Sequence, residues 1–161
     1  MNVREVTIAL GGNEDAPEIA RLIHESFREY EGQLKPPSAA LNETPESIVE
    51  EFNVGTFAIL ARIEGIPVGC VLATPRDRDV YFGRLSVVPA HRRHGVAQLL
   101  IAELEHQAVN RGFEGVLLAV RISLTENQRF FRDLGYIEIT RRAHPGFSEP
   151  TAIDMRKALQ H

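Results

Sequence analysis

Between residues 56 and 88 the chain sets three apolar, β-branched stretches in succession with no room for a helix among them. Residues 56–63 and 66–74 are separated only by Glu64 and Gly65. A connection that short closes an antiparallel hairpin, because parallel strands need a crossover of about a dozen residues or more. A charged turn at 76–79 then leads into a third strand over 80–88. Helical and extended patterns follow on either side, in the order strand, two helices, three strands, helix, strand, helix, two strands. This is not strict βαβ alternation and disfavours a doubly wound nucleotide-binding fold. The expectation is an α+β class: a mixed, mostly antiparallel central sheet with helices on both faces.

The flanking elements carry their own signals. Residues 3–10 read as a strand ended by Gly11 and Gly12. Pro17 suits a first helical turn, and Ile19, Leu22, Ile23, Phe27 and Tyr30 recur at helical spacing. A loop over 32–41 contains Pro36 and Pro37, and Thr44 before Pro45 is the cap expected of a short second helix. Gly95 opens a helix with Val96, Leu99, Leu100, Leu104 and Ala108 on one face, and Gly112 ends it. Residues 115–120 are almost wholly apolar, as in a strand covered on both faces. Ser123 with Glu126 predicts a capping box for a helix running to Leu134, stopped by Gly135. Strands at 136–140 and 151–156 close the chain.

The length of 161 residues suits one domain spanning 1–161 with its core at about 3–158. A net charge of -4 disfavours nonspecific nucleic-acid binding, although arginines cluster at Arg92–Arg93 and Arg141–Arg142. Cys70 is the only cysteine, so no intrachain disulfide forms, and its apolar surroundings make it a small core residue. No apolar run approaches the roughly 20 residues that span a bilayer, and no signal-peptide pattern opens the chain. No membrane partner is expected, and the address is cytoplasmic by default. His91 and His94 lack carboxylate support and do not make a metal site, so no metal is expected.

The chemistry concentrates in S-V-V-P-A-H-R-R-H-G-V-A-Q-L-L, residues 86–100. Pro89 ends a strand, because it cannot donate to the ladder. A short basic loop then enters a helix, whose first N–H groups lack partners and carry the positive end of the dipole. Such a turn binds anions, phosphate above all. Backbone donors over 92–98, that is Arg92, Arg93, His94, Gly95, Val96, Ala97 and Gln98, are the expected contacts. Gly95 and Ala97 leave room for a bulky diphosphate. The Gly-Lys-Ser/Thr ending of a P-loop is absent.

Val87, Pro89, Arg92, Gly95 and Ala97 resemble the V-x-P-x-x-R-x-x-G-x-[GA] signature of the GNAT superfamily of N-acetyltransferases. Downstream, N-Q-R-F-F-R-D-L-G-Y is similar to that family's second motif through Asn127, Phe131, Leu134, Gly135 and Tyr136. The resemblance implies the acyl-coenzyme A N-acyltransferase fold, with acetyl-coenzyme A as co-substrate. It implies a small-molecule or protein amine that attacks the thioester directly, and leaves a homodimer open. The cofactor would enter where two central strands diverge after Val87: Leu85, Val87 and Val88 would meet the pantetheine arm, with a Val87 or Val88 backbone N–H as oxyanion donor, and Asn127 and Phe131 would complete the cofactor site.

Two departures stand out. The family often has a glutamate on the strand before the loop, where this chain has Tyr81, Phe82, Gly83 and Arg84. Phe131 stands where the family often has its tyrosine acid, and Tyr136 is expected to pack in the core. The base is therefore unassigned, with Glu25, Glu29, Tyr30, Glu43 and His144 on the substrate side. Arg84, on a central strand, needs either a substrate carboxylate or an internal acid. Tyr30, Arg84 and His144 are the candidate acceptor contacts. A noncatalytic acyl-coenzyme A-binding sensor or partner-binding module is the competing reading, kept open by the missing glutamate and tyrosine.

Overall fold

A computed structural model describes residues 5–160. Its strands are β1 (Val6–Gly11), β2 (Phe57–Ile63), β3 (Ile66–Arg76), β4 (Asp79–Val87), β5 (Gly115–Arg121), β6 (Ile137–Arg142) and β7 (Ala152–Ala158). Its helices are α1 (Ala16–Phe27), α2 (Pro45–Asn53), α3 (Val96–Asn110) and α4 (Thr125–Asp133). The strands form one sheet in the order β1-β2-β3-β4-β5-β7-β6. Every pairing is antiparallel except β4 with β5. The mixed, mostly antiparallel sheet expected from the sequence is thus the fold found. The part of the first predicted strand at residues 3 and 4 lies outside the described residues.

Local chemistry explains most elements. Glu64 (φ 54°) and Gly65 (φ 78°) both take left-handed backbone in the β2–β3 turn, the conformation that matches the twist of the flanking strands. Thr44 caps α2 by accepting from the Ser47 N–H, and the Ser47 hydroxyl accepts from the Thr44 N–H. Residues 57–61 of β2 and 68–73 of β3 are buried without alternation, so both faces of the sheet centre are covered. Gly69 shows what covers one of them. A Cβ there would meet Val96 and Leu100 side-chain atoms at 3.2 Å, and the Ser86 carbonyl oxygen at 2.8 Å. The first turn of α3 therefore lies directly on β3, which fixes the helix end that the sequence marks as an anion site.

Three local expectations need correction. Leu99 is 43% exposed, and Ile101 joins the buried stripe of Val96, Leu100, Leu104 and Ala108 in its place. The stripe follows the four-residue ridge and spills to its other flank. The Ser123–Glu126 capping box does not form. Helix α4 starts at Thr125 with Leu124 as cap, so Ser123 falls one residue too early to reach the helical amides. Gln128 secures that end instead, its amide donating to the carbonyls of Arg121 (3.1 Å) and Ile122 (2.9 Å). The third correction concerns where the central strands part. Expected after Val87, the break comes earlier: β4 pairs with β5 only over Asp79, Val80 and Tyr81, opposite Gly115, Val116 and Leu117. The cause is a β-bulge. The β3–β4 register shifts between Cys70/Ser86 and Leu72/Gly83, with Arg84 left-handed at φ 57°. The extra residue bends β4 and increases its twist.

Substituting Gly69 tests the contact that seats α3. Gly69→Ala puts a methyl against a backbone oxygen that cannot swing away, so unfolding in denaturant should show a loss of about 1–3 kcal/mol. Unchanged stability would mean that α3 can lift off β3.

Candidate active site

The parting of β4 and β5 opens a cavity of about 750 Å³. Its walls come from the end of α1, the loop over 34–39, β4, the turn into α3, β5, the start of α4, and the β6–β7 end of the sheet. Of the predicted cofactor residues, Leu85, Val87, Arg92, Arg93, Gly95, Val96, Ala97, Gln98, Asn127 and Phe131 line it. Val88 and His94 do not. The predicted acceptor contacts Tyr30, Arg84 and His144 line it as well.

At the turn into α3, Arg93 (φ 66°) and Gly95 (φ 78°) are left-handed, and Gly95 is the helix cap. Its carbonyl accepts from the Leu99 N–H at 3.1 Å. No side chain caps this end and no acidic residue occupies the first turn. The N–H groups of Val96, Ala97 and Gln98 are thus left over at the cavity wall, at the positive end of a 15-residue helix. Nothing lies within 4 Å of a Cβ built on Gly95, so the turn is open on that side.

The backbone of β4 distinguishes the two expected oxyanion donors. The Val88 N–H donates to the Val68 carbonyl at 3.0 Å. Val88 is therefore corrected out of the donor role. That bond makes Val88–Val68 a hydrogen-bonded pair, so Val87, opposite Gly69, belongs to the alternate kind, whose backbone groups face away from the partner strand. The Val87 N–H and C=O point towards the gap that β5 has left. The Val87 carbonyl accepts there from Arg92 Nε at 3.0 Å.

The Arg92 side chain is engaged within the protein. Besides Val87, its guanidinium donates to the Ser26 carbonyl at 3.0 Å and pairs with Glu29 at 2.6 Å. It stitches the end of α1 to the end of β4. Arg84 finds an internal acid, with Nε donating to Glu43 Oε2 at 3.1 Å, and Glu43 also accepts from Ser47. Glu25 pairs with Arg21. Neither Glu43 nor Glu25 lines the cavity, which leaves Glu29, Tyr30 and His144 of the five residues considered as bases.

His144 has its N–H donating to Thr151 Oγ1 at 2.9 Å, and Nδ1 in contact with the same oxygen. Burial, then the charges of Arg121 and Arg142, hold its imidazole below its ordinary pKa. It stays unprotonated to lower pH than a free histidine. Tyr136 is buried, and its hydroxyl donates to Glu105 Oε2 at 2.8 Å. Burial and the Glu105 charge push its proton loss far up, so it serves the core, as read from the sequence. Phe131 sits edge-on to Phe82, Phe130 and Tyr136. Cys70 is buried, and desolvation pushes its thiol up to about 12. Among the described residues no cluster of three or more His, Cys, Asp or Glu is placed to hold a metal.

Among the cavity residues that the sequence does not assign to the site are Tyr81, Arg121 and Arg142. Tyr81 reads there only as a position where a glutamate is absent, and Arg142 only as half of an arginine pair. Arg121 ends an apolar strand, and that position was its only signal.

The family model described as the acetyltransferase (GNAT) family matches residues 17–136. The chain belongs to the GNAT acetyltransferase family. Solved GNAT-type structures share its fold at low identity. The ribosomal-protein-S18-alanine N-acetyltransferase of Escherichia coli superposes with a TM-score of 0.79 at 17% identity, covering 98% of this chain and 96% of its own. The PaiA N-acetyltransferase of Thermoplasma acidophilum, solved with coenzyme A, gives 0.78 at 16%, covering 96% and 99%. Ard1 of Thermoplasma volcanium gives 0.74 at 18%, covering 97% and 99%. No curated protein sequence matches. As a GNAT acetyltransferase the chain is placed among acyl-transferring enzymes in general.

The Arg92 stitch is testable in this GNAT protein by stability alone. Arg92→Ala removes charge-assisted bonds to two elements and should cost about 1–3 kcal/mol in denaturant unfolding. Arg92→Lys should recover little of it, because an ammonium cannot reproduce the planar fork. Full recovery by lysine would show that charge alone matters at this position.

Proposed function

We propose that this protein transfers an acyl group, acetyl in the first instance, from acyl-coenzyme A to the primary amine of a small molecule or protein. The observation that carries the reading is the pairing of two donor sets on one cavity: the leftover N–H groups of Val96–Gln98 and the unpaired Val87 N–H. The uncapped helix end suits a diphosphate, and its lack of acidic side chains removes the main source of repulsion. The gap between β4 and β5 suits an extended arm, with Leu85 and Val87 on one side and Asn127 and Phe131 on the other. Acetyl-coenzyme A supplies, when bound, a thioester carbonyl at which the amine nitrogen forms its new bond while the C–S bond breaks and the electron pair leaves on sulfur.

The chain's own residues do the rest. The Val87 N–H, held in place by the Val88–Val68 bond next to it, donates to an oxygen that gathers negative charge. An amine of pKa ~10.4 is neutral in only about one molecule in two thousand at pH 7, so a proton acceptor speeds attack. His144 lines the cavity unprotonated and takes that proton. Tyr136 cannot protonate the sulfur, because its hydroxyl is committed to Glu105. The thiolate can leave unaided, since thiols ionise near ~8.5.

Thiol release from acetyl-coenzyme A, followed against an amine panel, tests this. The rate should rise with pH as the amine loses its proton. Because the His144 pKa is lowered, its own limb should fall below the ordinary ~6.5 of histidine. His144→Ala should reduce kcat on the order of a hundredfold. A limb above 6.5 assigned to His144, or full activity in the variant, would remove it as base. Tight acetyl-coenzyme A binding with no thiol release for any amine would favour the noncatalytic sensor instead.

A further inference from the structure

Arg121 is half-buried on the cavity wall and has no carboxylate within salt-bridge distance among the described residues. Two of its donors reach the carbonyls of Pro36 (2.7 Å) and Pro37 (3.3 Å). The remaining N–H groups of its five-donor guanidinium have no partner among the described residues. Its neighbours do not neutralise it. Ala152 of β7 stands in register with Arg121 on one side and Arg142 on the other. Directly opposed residues share a face of the sheet, so both guanidinium groups rise from the same face over a small residue. Arg142 is already satisfied by Asp154, at 2.6 and 2.7 Å, and Arg84 by Glu43. The cavity wall carries Arg84, Arg92, Arg93, Arg121 and Arg142 against only Glu29 and Glu126, in a chain whose acidic residues outnumber the basic. Of these, Glu29 is held by Arg92.

We infer that the acceptor is a small amine that carries a carboxylate, and that Arg121 receives the carboxylate. This rests on the acyl-transfer reading of the cavity and names the substrate class for it. A guanidinium with two carbonyl acceptors on part of its fork keeps other N–H groups for a planar anion, and a carboxylate matches that spacing. Desolvation already acts on this guanidinium and lowers its pKa, so an incoming anion relieves a cost the fold carries. The position also fits. β4 and β5 run parallel from their last common pair, Tyr81 and Leu117, so Arg121 and Val87 both lie beyond it, at the open end of the gap. An amine at Val87 and an acid at Arg121 then share one cavity. The neutral His144 stands by the arginines without adding an acid to compete for them.

Matched pairs of amines test this: amino acids against their carboxamides, and dipeptides against their C-terminal amides, in thiol-release assays. The free acids should show kcat/KM at least tenfold above their amides, arising mainly in KM. Arg121→Gln keeps a donor for Pro36 but removes the charge, and should bring each pair to within about threefold, the equivalent of roughly 0.7 kcal/mol. Arg121→Lys should restore part of the preference. Amino acids leading the dipeptides would mark a free amino acid as the source, and the reverse a peptide end. Equal kcat/KM across the pairs in the wild type, or a preference that survives Arg121→Gln, overturns the inference. Calorimetry with the N-acetylated amino acids separates it from the acyl-transfer reading. Binding that depends on Arg121, with no turnover of any amine, keeps the anion site and rejects transfer. No such binding by a turning-over enzyme rejects the anion site alone.

Discussion

Strand β4 has partners on both sides for only its first three residues, and the site follows from that loss. A seven-stranded sheet would ordinarily bury its central backbone groups in ladders. Here the bulge at Arg84 turns β4 away from β5 after Tyr81. The cost is a set of polar groups with no ladder partner, the Val87 N–H among them. The gain is a wedge inside the sheet with a backbone donor on its wall. Gly69 works to the same end from the other strand, since only a residue without a side chain lets α3 lie against β3 so closely. Bulge and glycine together set the helix end and the Val87 donor on one cavity.

Charge is arranged around that wedge with little regard to the net balance of the chain. At the α3 end the donors are backbone, and Arg92 is spent on holding α1 to β4. At the far end of β5 the positive charge belongs to side chains on the cavity wall. Arg84 and Arg142 are each neutralised by one carboxylate, from Glu43 and Asp154 respectively. Arg121 is left with two carbonyls. Burial first, and then the charges of Arg121 and Arg142, lower the pKa of His144, so the same charges that suit an anion also favour the unprotonated imidazole.

Features decided by near neighbours were legible in the sequence. The Glu64–Gly65 hairpin, the Thr44 cap, the glycine at the entry to α3 and the order of elements follow from local backbone rules. Features decided across the fold were not. Whether Val87 or Val88 keeps a free N–H depends on the register of β4 against β3. Whether Arg84 meets substrate or protein depends on Glu43, 41 residues away. Arg121 meets Pro36 and Pro37 from 85 and 84 residues away, and Arg142 and His144 lie beyond the residues that match the family. The errors at Leu99 and Ser123 are smaller in kind, each a single-residue misjudgement of which side of a helix is buried or where it begins.

The central claim is that the gap after Tyr81 and the open end of α3 form one binding surface. Hydrogen exchange at single backbone amides, measured by NMR with and without acetyl-coenzyme A, tests it most directly. The account predicts that Val87, Val96, Ala97 and Gln98 slow strongly on binding, and that Val88, already bonded to Val68, changes far less than Val87. Protection that appears elsewhere, with Val87 and the first turn of α3 unchanged, would contradict it.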